Sequence, residues 1–339
     1  MTGIRIHSAF LVAWKTLVNV LHYYLFFYWE STQEEFSDER SCKFVSSRGI
    51  AKSCDVFPIS IISDSVSSFD ESVYIGIKDG QSVYVVTDQL KQFYEQVFKK
   101  LEIQGKRIVL VTGASVRSVP DEISSLNSID YSKVILDSPA TIKWFTQNYS
   151  WVNSHPKISP IPLGINYHTL SQKPHWWGKY STPLDQESEM IKLIKSSPPY
   201  EERRNRCFSF FHFNISERHD GDRRLALKAL MDVDFNDFAN RICDRKTTWD
   251  ICTKYKYIVS PHGHGLDCHR TYEAIALGCL PVVRSSSLDV IYERLPVIIL
   301  DKWEDISIEL LENRAVDARK NRTKLMQLGY WKDLIKSAI

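Results

Sequence analysis

The sequence lacks net charge: its 339 residues sum to only +2 at pH 7. No overall field is available to gather nucleic acid or an acidic membrane surface, so any anion site must come from local geometry. No CxxC pair occurs among the seven cysteines. That excludes a zinc module and a dense disulfide scaffold, and the odd number leaves at least one thiol unpaired. Cys42 and Cys54 are close enough in sequence to bridge. The plainer expectation is buried free thiols, because cysteine packs as a small hydrophobe. Internal repeats and low-complexity tracts are missing. No small-residue cleavage site follows the first apolar run, which argues against a removed signal peptide.

What is present is the composition of an ordinary globular chain, with 43% hydrophobic and 25% charged residues. The length fits two domains of roughly 100–200 residues each. Residues 1–30 hold an apolar run, Ser8–Trp29, preceded by Arg5 and followed by Glu30, Glu34, Glu35, Asp38 and Glu39. Two readings stand. The polarity suits a membrane anchor with a cytosolic N-terminus, giving a type II protein of the Golgi or endoplasmic reticulum. Lys15, Asn19 and His22 instead share one helical stripe, as in an amphipathic helix of a soluble, cytoplasmic protein.

Residues 31–70 are polar and serine-rich and read as an irregular stalk. From 71 to 170 short apolar runs alternate with helical stretches. Strands are expected at Ser82–Val86, Arg107–Thr112, Lys133–Leu136 and Lys157–Pro162. Helices are expected at Gln89–Leu101, capped by Asp88, and at Ala140–Asn148. Residues 171–205 carry Pro174, Trp176, Trp177, Pro183, Pro198 and Pro199. They read as an inter-domain connection with one helix near Gln186–Lys195. The rhythm then restarts over 206–339, with strands at Cys207–Phe213, Tyr257–Ser260, Leu280–Val283 and Val297–Leu300. The expected fold class is α/β, of two Rossmann-like doubly wound domains facing a cleft.

The most informative stretch is Tyr257-Ile-Val-Ser-Pro-His-Gly-His-Gly-Leu-Asp-Cys-His-Arg-Thr-Tyr-Glu-Ala-Ile-Ala-Leu-Gly-Cys-Leu-Pro-Val-Val283. A strand ends at Ser260, a double-glycine loop follows, and a helix starts with Asp267 as its cap. Gly263 and Gly265 let backbone amides approach an anion, and the helix start adds partial positive charge. Arg270 suits a diphosphate because its planar fork pairs with phosphate oxygens. Glu273, three residues on, suits a ribose diol. A second cluster follows the first strand of this half, where Asn214, Ser216, Arg218, Arg223 and Arg224 are candidate phosphate or base contacts. Arg218 and Arg224 are the better placed on sequence grounds.

These residues resemble the exostosin-like glycosyltransferases, in particular small proteins with a Ser-Pro-His-Gly-x-Gly-Leu-Asp-x-His-Arg-Thr core. Ile161-Pro-Leu-Gly-Ile-Asn-Tyr-His-Thr-Leu170 and Trp176-Trp177-Gly178 are similar to that group as well. The resemblance implies a GT-B fold, a nucleotide-sugar donor that is probed first as UDP-linked, no obligatory metal or other cofactor, and a glycan or glycoconjugate acceptor. It implies that Arg270 and Glu273 are the phosphate and ribose contacts and that His262, Gly263, His264 and Gly265 form the donor loop; Asp267 and Thr271, in the same stretch, are further candidate donor contacts. Such proteins often carry an acid in the loop after the second strand. Here that loop reads Gly113-Ala114-Ser115-Val116-Arg117, without a carboxylate.

The proton acceptor is therefore sought at other strand ends of the first half. His168 is the first candidate, since an unperturbed histidine titrates near neutrality, and Asp137 is the reserve. Two alternatives belong to other classes. One is a nucleotide-sugar-binding protein that has lost catalysis. The other is a metal-dependent hydrolase built on His262, His264, Asp267 and His269.

Overall fold

The computed structural model describes residues 39–61, 69–125, 129–151, 155–212, 218–321 and 323–339. The apolar run at 8–29, together with Asn214 and Ser216, lies outside these residues. Among the described residues no helix is long and apolar enough to cross a membrane.

Two parallel sheets organise the chain. Ser82–Val86 (β1), Ile108–Gly113 (β2), Thr141–Thr146 (β3) and Ile158–Pro160 (β4) lie side by side in chain order. Every residue of β1 and β2 is buried, as expected for strands covered on both faces. The second sheet contains Arg204–Ser209 (β5), Asn236–Phe238 (β6), Tyr255–Val259 (β7), Leu280–Arg284 (β8) and Ile298–Leu300 (β9). Its order is β6-β5-β7-β8-β9. The order reverses between β5 and β7, and such a reversal opens a crevice beyond the carboxyl ends of the strands. The two α/β halves face each other across a cleft at that end, the arrangement expected of a GT-B type chain.

Several sequence expectations are corrected. Lys133–Leu136 is not a strand: Tyr131–Asp137 is a helix, and the Asp130 side chain caps it by accepting the Lys133 N–H at 3.0 Å. The expected helix at Ala140–Asn148 is instead β3, paired with β2 from Ile108 to Thr112. Short apolar runs do not separate strand from helix by periodicity alone. Here the Asp130 cap and the β-branched and aromatic content of β3 decide. Asp88 caps no helix. It lies in a 3-10 turn and accepts from Arg117 Nε at 2.6 Å.

The segment read as a stalk is in part structured core. Ser46 caps the helix Ser47–Ala51, accepting the Gly49 N–H, and all five helical residues are buried. Val56 pairs in parallel with Val83. Glu187, on the helix Pro183–Ser196, accepts the N–H groups of Lys43 and Phe44 at 2.9 and 2.8 Å. The tail, read with the second domain, also bonds to this segment. Val45 N–H donates to Met326 O, and Leu328 N–H to Lys43 O. Trp331 and Ile335 thereby join the core that holds Val45 and Ile50. Each contributes about 1.5–3 kcal/mol by burial, so the last helix, Leu328–Ser337, packs on a core shared by both halves. All seven cysteines are free thiols, five of them buried, so Cys42 and Cys54 are not bridged.

Candidate functional site

The cleft has a volume of about 1140 Å³ and takes its lining from both halves. From the second half come the residues just beyond β5, Phe210 to His212, and the loop beyond β7 with Gly263, His264 and Gly265. The helix His269–Ala276 contributes Arg270 and Glu273. The first half contributes Ser115, Val116, Asn148 and His168, among others.

Two arginines meet at the double-glycine loop. Arg223, at the start of the helix Asp222–Leu230, donates to His212 O at 3.3 Å. A Cβ placed on Gly263 would stand 2.7 Å from Arg223 Nη2, so a larger residue there would make the end of that side chain shift. Arg270 donates from Nη2 to Pro261 O at 2.9 Å and lies over the rings of Phe210 and Phe211, 5.8 and 5.7 Å from their centroids. Burial, then the Arg223 charge against the opposing pull of Cys268, lowers the Arg270 pKa from its ordinary value. The Nε of both arginines is buried without a hydrogen-bond partner. Neither arginine forms an ion pair with a described carboxylate. Two like charges held this close in a half-dry cleft favour an anion. Glu273 sits one helical turn from Arg270 and accepts from Trp249 Nε1 at 3.1 Å.

Other expected donor contacts are spent on structure. His262 is buried: its backbone N–H donates to Asp222 Oδ2, and its Nδ1 lies 2.7 Å from Leu266 O. A carbonyl only accepts, so Nδ1 carries the proton. Thr271 is buried with its hydroxyl on Ser260 Oγ at 2.9 Å. Asp267 does not cap the helix, since Cys268 holds that position without a side-chain bond. Its carboxylate instead accepts from Leu163 N, Cys268 N, Tyr272 Oη and Tyr292 Oη at 2.9, 2.8, 2.7 and 2.6 Å. Arg218 pairs with Glu122 at 2.7 Å and donates to Val116 O at 3.0 Å, and it is not part of the cleft lining. Arg224 is exposed on its helix and does not line the cleft. Arg223, ranked below both on sequence grounds, is the one that does. A helix places adjacent residues about 100° apart, and which of two neighbouring arginines faces inward depends on its packing.

His168 lines the cleft at the start of the helix His168–Gln172, with its ring centroid 5.4 Å from that of His269. His269 donates from Nδ1 to Gly164 O at 2.7 Å, which leaves Nε2 as the lone-pair nitrogen. Burial pushes both histidines down, His168 well below 6.5 and His269 to about 4, so each is neutral near pH 7. Among the described first-half lining residues only His168 and Arg48 are ionisable, and only His168 can take a proton. Asp137 is exposed at the end of a helix, follows no strand and does not line the cleft. The reserve assignment is therefore withdrawn.

The metal-hydrolase constellation does not assemble. His262, Asp267 and His269 are each committed to separate protein partners, as above, and His264 alone is exposed. Among the described residues no group of three or more His, Cys, Asp or Glu side chains is placed to share one ion. Asn148, which opens the potential glycosylation sequon Asn148-Tyr149-Ser150, is buried and bonded on both sides of its amide.

No family model and no curated protein matches the chain. Among solved structures it is similar to the spinosyn rhamnosyltransferase SpnG complexed with thymidine diphosphate, at 11% identity over 76% of this chain and 69% of that one, TM-score 0.34. It is similar also to an alpha1,3-fucosyltransferase, at 11% identity over 81% of this chain and 94% of that one, TM-score 0.33. A third is WaaG, a glycosyltransferase involved in lipopolysaccharide biosynthesis, at 12% identity over 76% and 85%, TM-score 0.30. Likeness at these scores carries no argument about the site.

Proposed function

We propose that this protein is a glycosyltransferase that moves a sugar from a nucleoside-diphosphate donor, UDP-linked in the first instance, to a hydroxyl of a glycan or glycoconjugate. The observation that carries this reading is the Arg223–Arg270 pair. Two guanidinium groups without carboxylate partners among the described residues stand beside the Gly263–Gly265 loop, at the strand-order reversal of a parallel sheet. The diphosphate would lie on these two groups and the loop amides, with His264 at its edge and Glu273 turned to the ribose diol.

In the transfer, the acceptor oxygen forms a bond to the anomeric carbon while the bond from that carbon to the diphosphate oxygen breaks. The nucleoside diphosphate leaves with the electron pair, stabilised by Arg223 and Arg270. The acceptor proton passes to His168, which faces the donor side from the first half.

Calorimetry with UDP and GDP tests the reading. The parent binds a nucleoside diphosphate. Arg270→Ala weakens binding about tenfold or more, from the loss of charge-assisted hydrogen bonds, and Glu273→Ala weakens it as well. Parental affinity in both variants would reject the assignment.

A second reading, nucleotide-sugar binding without turnover, is favoured by one observation. The carboxylates flanking the 113–117 loop are engaged, Asp88 by Arg117 and Glu122 by Arg117 and Arg218. Sugar-nucleotide hydrolysis by the parent would exclude it.

A further inference from the structure

Among the described residues, twelve large apolar side chains are exposed, and three of them line the cleft. Val116 comes from the loop after β2, Trp176 from the connection between halves, and Ile242 from the segment after β6. They are 45%, 50% and 79% exposed. Single exposed apolar residues are common on protein surfaces. Three from separate segments around one cleft are not explained by that.

Trp176 is the most strongly built of the three. His175 and Gly178 exchange backbone hydrogen bonds of 3.0 and 2.9 Å, so Trp176 and Trp177 form the tip of a two-residue turn. Trp177 anchors the turn to the second half: its carbonyl accepts the Arg245 N–H at 2.7 Å, and the Arg245 guanidinium lies 5.2 Å from its ring. Trp176 is held in T-shaped contact by Trp177 and His212, at centroid distances of 5.1 and 5.4 Å. Half of the residue stays exposed, and it is part of the cleft lining. A rigid aromatic with two side-chain torsions, already fixed, loses little entropy when a ligand stacks on it.

The chemistry around it selects the ligand. The lining mixes aromatic residues, Phe210, Phe211 and Phe238 among them, with the polar groups His212, Asn240 and Arg241. A pyranose ring presents an apolar C–H face bordered by hydroxyls, which matches an exposed aromatic face set beside hydrogen-bonding groups.

We infer that Trp176 is the stacking platform of the acceptor subsite and holds the apolar face of a pyranose ring, with Val116 and Ile242 as flanking contacts. This rests on the glycosyltransferase reading. The test uses the full chain and its Trp176→Ala and Trp176→Phe variants on an array of neutral oligosaccharides, with UDP calorimetry in parallel. Saccharide binding by the parent should fall at least tenfold in W176A and recover in W176F, with UDP affinity equal in all three. Parental saccharide binding by W176A overturns the inference. So does a parent that binds UDP but no saccharide, or a W176A variant that loses UDP as well. If the parent binds saccharide through Trp176 but no UDP, the platform stands and the glycosyltransferase reading falls.

Discussion

The side-chain oxygen of Asn148 accepts the backbone N–H of Asp267 at 2.8 Å, joining the end of β3 to the loop beyond β7. The same amide donates from Nδ2 to Ser115 O at 2.7 Å. Asn148 therefore couples the loop after β2 to the loop after β7 through one buried group. Its φ of 50° lies in the left-handed region, which asparagine tolerates better than most residues. A Cβ on Gly265 would meet Asn148 Oδ1 at 3.0 Å, so the second loop glycine makes room for the contact.

Asn148→Ala should destabilise the fold by about 1–3 kcal/mol, because it leaves a buried donor and a buried acceptor unpaired. Asn148→Gly tolerates the backbone angle but loses the same bonds, so it should recover only part of the loss. Urea midpoints measure this. An alanine variant within about 0.5 kcal/mol of the parent, the range of ordinary surface substitutions, would show that the bridge is not needed.

Arg223 and Arg224 give a paired test of which arginine faces the donor. Arg223→Ala should lower UDP affinity about tenfold or more, the scale of a lost charge-assisted contact. Arg224→Ala should leave it unchanged. Gly263→Ala should weaken binding less than Arg223→Ala, since the new methyl group only makes the end of the flexible Arg223 side chain shift. Equal affinities for the two arginine variants, measured by calorimetry, would count against the site.

His168→Gln and His168→Ala should reduce hydrolysis of the UDP-sugar that the parent turns over by about 100-fold or more, the lower range of general-base catalysis. UDP affinity should be retained. Turnover near the parental rate in both variants would remove His168 from the mechanism.

Three half-buried histidines set a pH dependence of stability. Burial lowers His168, His219 and His269, the last two to about 4. Between that value and 6.5 the unfolded chain binds protons that the folded chain does not. Their contribution is fully present above pH 6.5 and is lost as pH falls toward 4. Urea midpoints should therefore drop from pH 7 to pH 5, and less steeply in His269→Gln. An unchanged slope in that variant would contradict the role of burial at this position.

Periodicity and local chemistry made much of the second half legible in the sequence. The strand β7, the double-glycine loop and the following helix were readable from the run Tyr257–Val283, because apolar runs, glycines and helix starts act locally. Arg270 and Glu273 could be assigned to the cleft on the same grounds. Tertiary packing decided what local pattern could not. Lys133–Leu136 and Thr141–Thr146 are similar short apolar runs. One became a helix because Asp130 caps it, and the other a strand because β2 supplies its hydrogen bonds. Asp267 and His262 looked like ligands by residue type. The fold instead surrounds the Asp267 carboxylate with four donors and turns His262 onto Leu266 O. The choice of Arg223 over Arg224, and the meeting of His168 with His269, join residues far apart in the chain. They depend on the packing of the two halves, which no local pattern encodes.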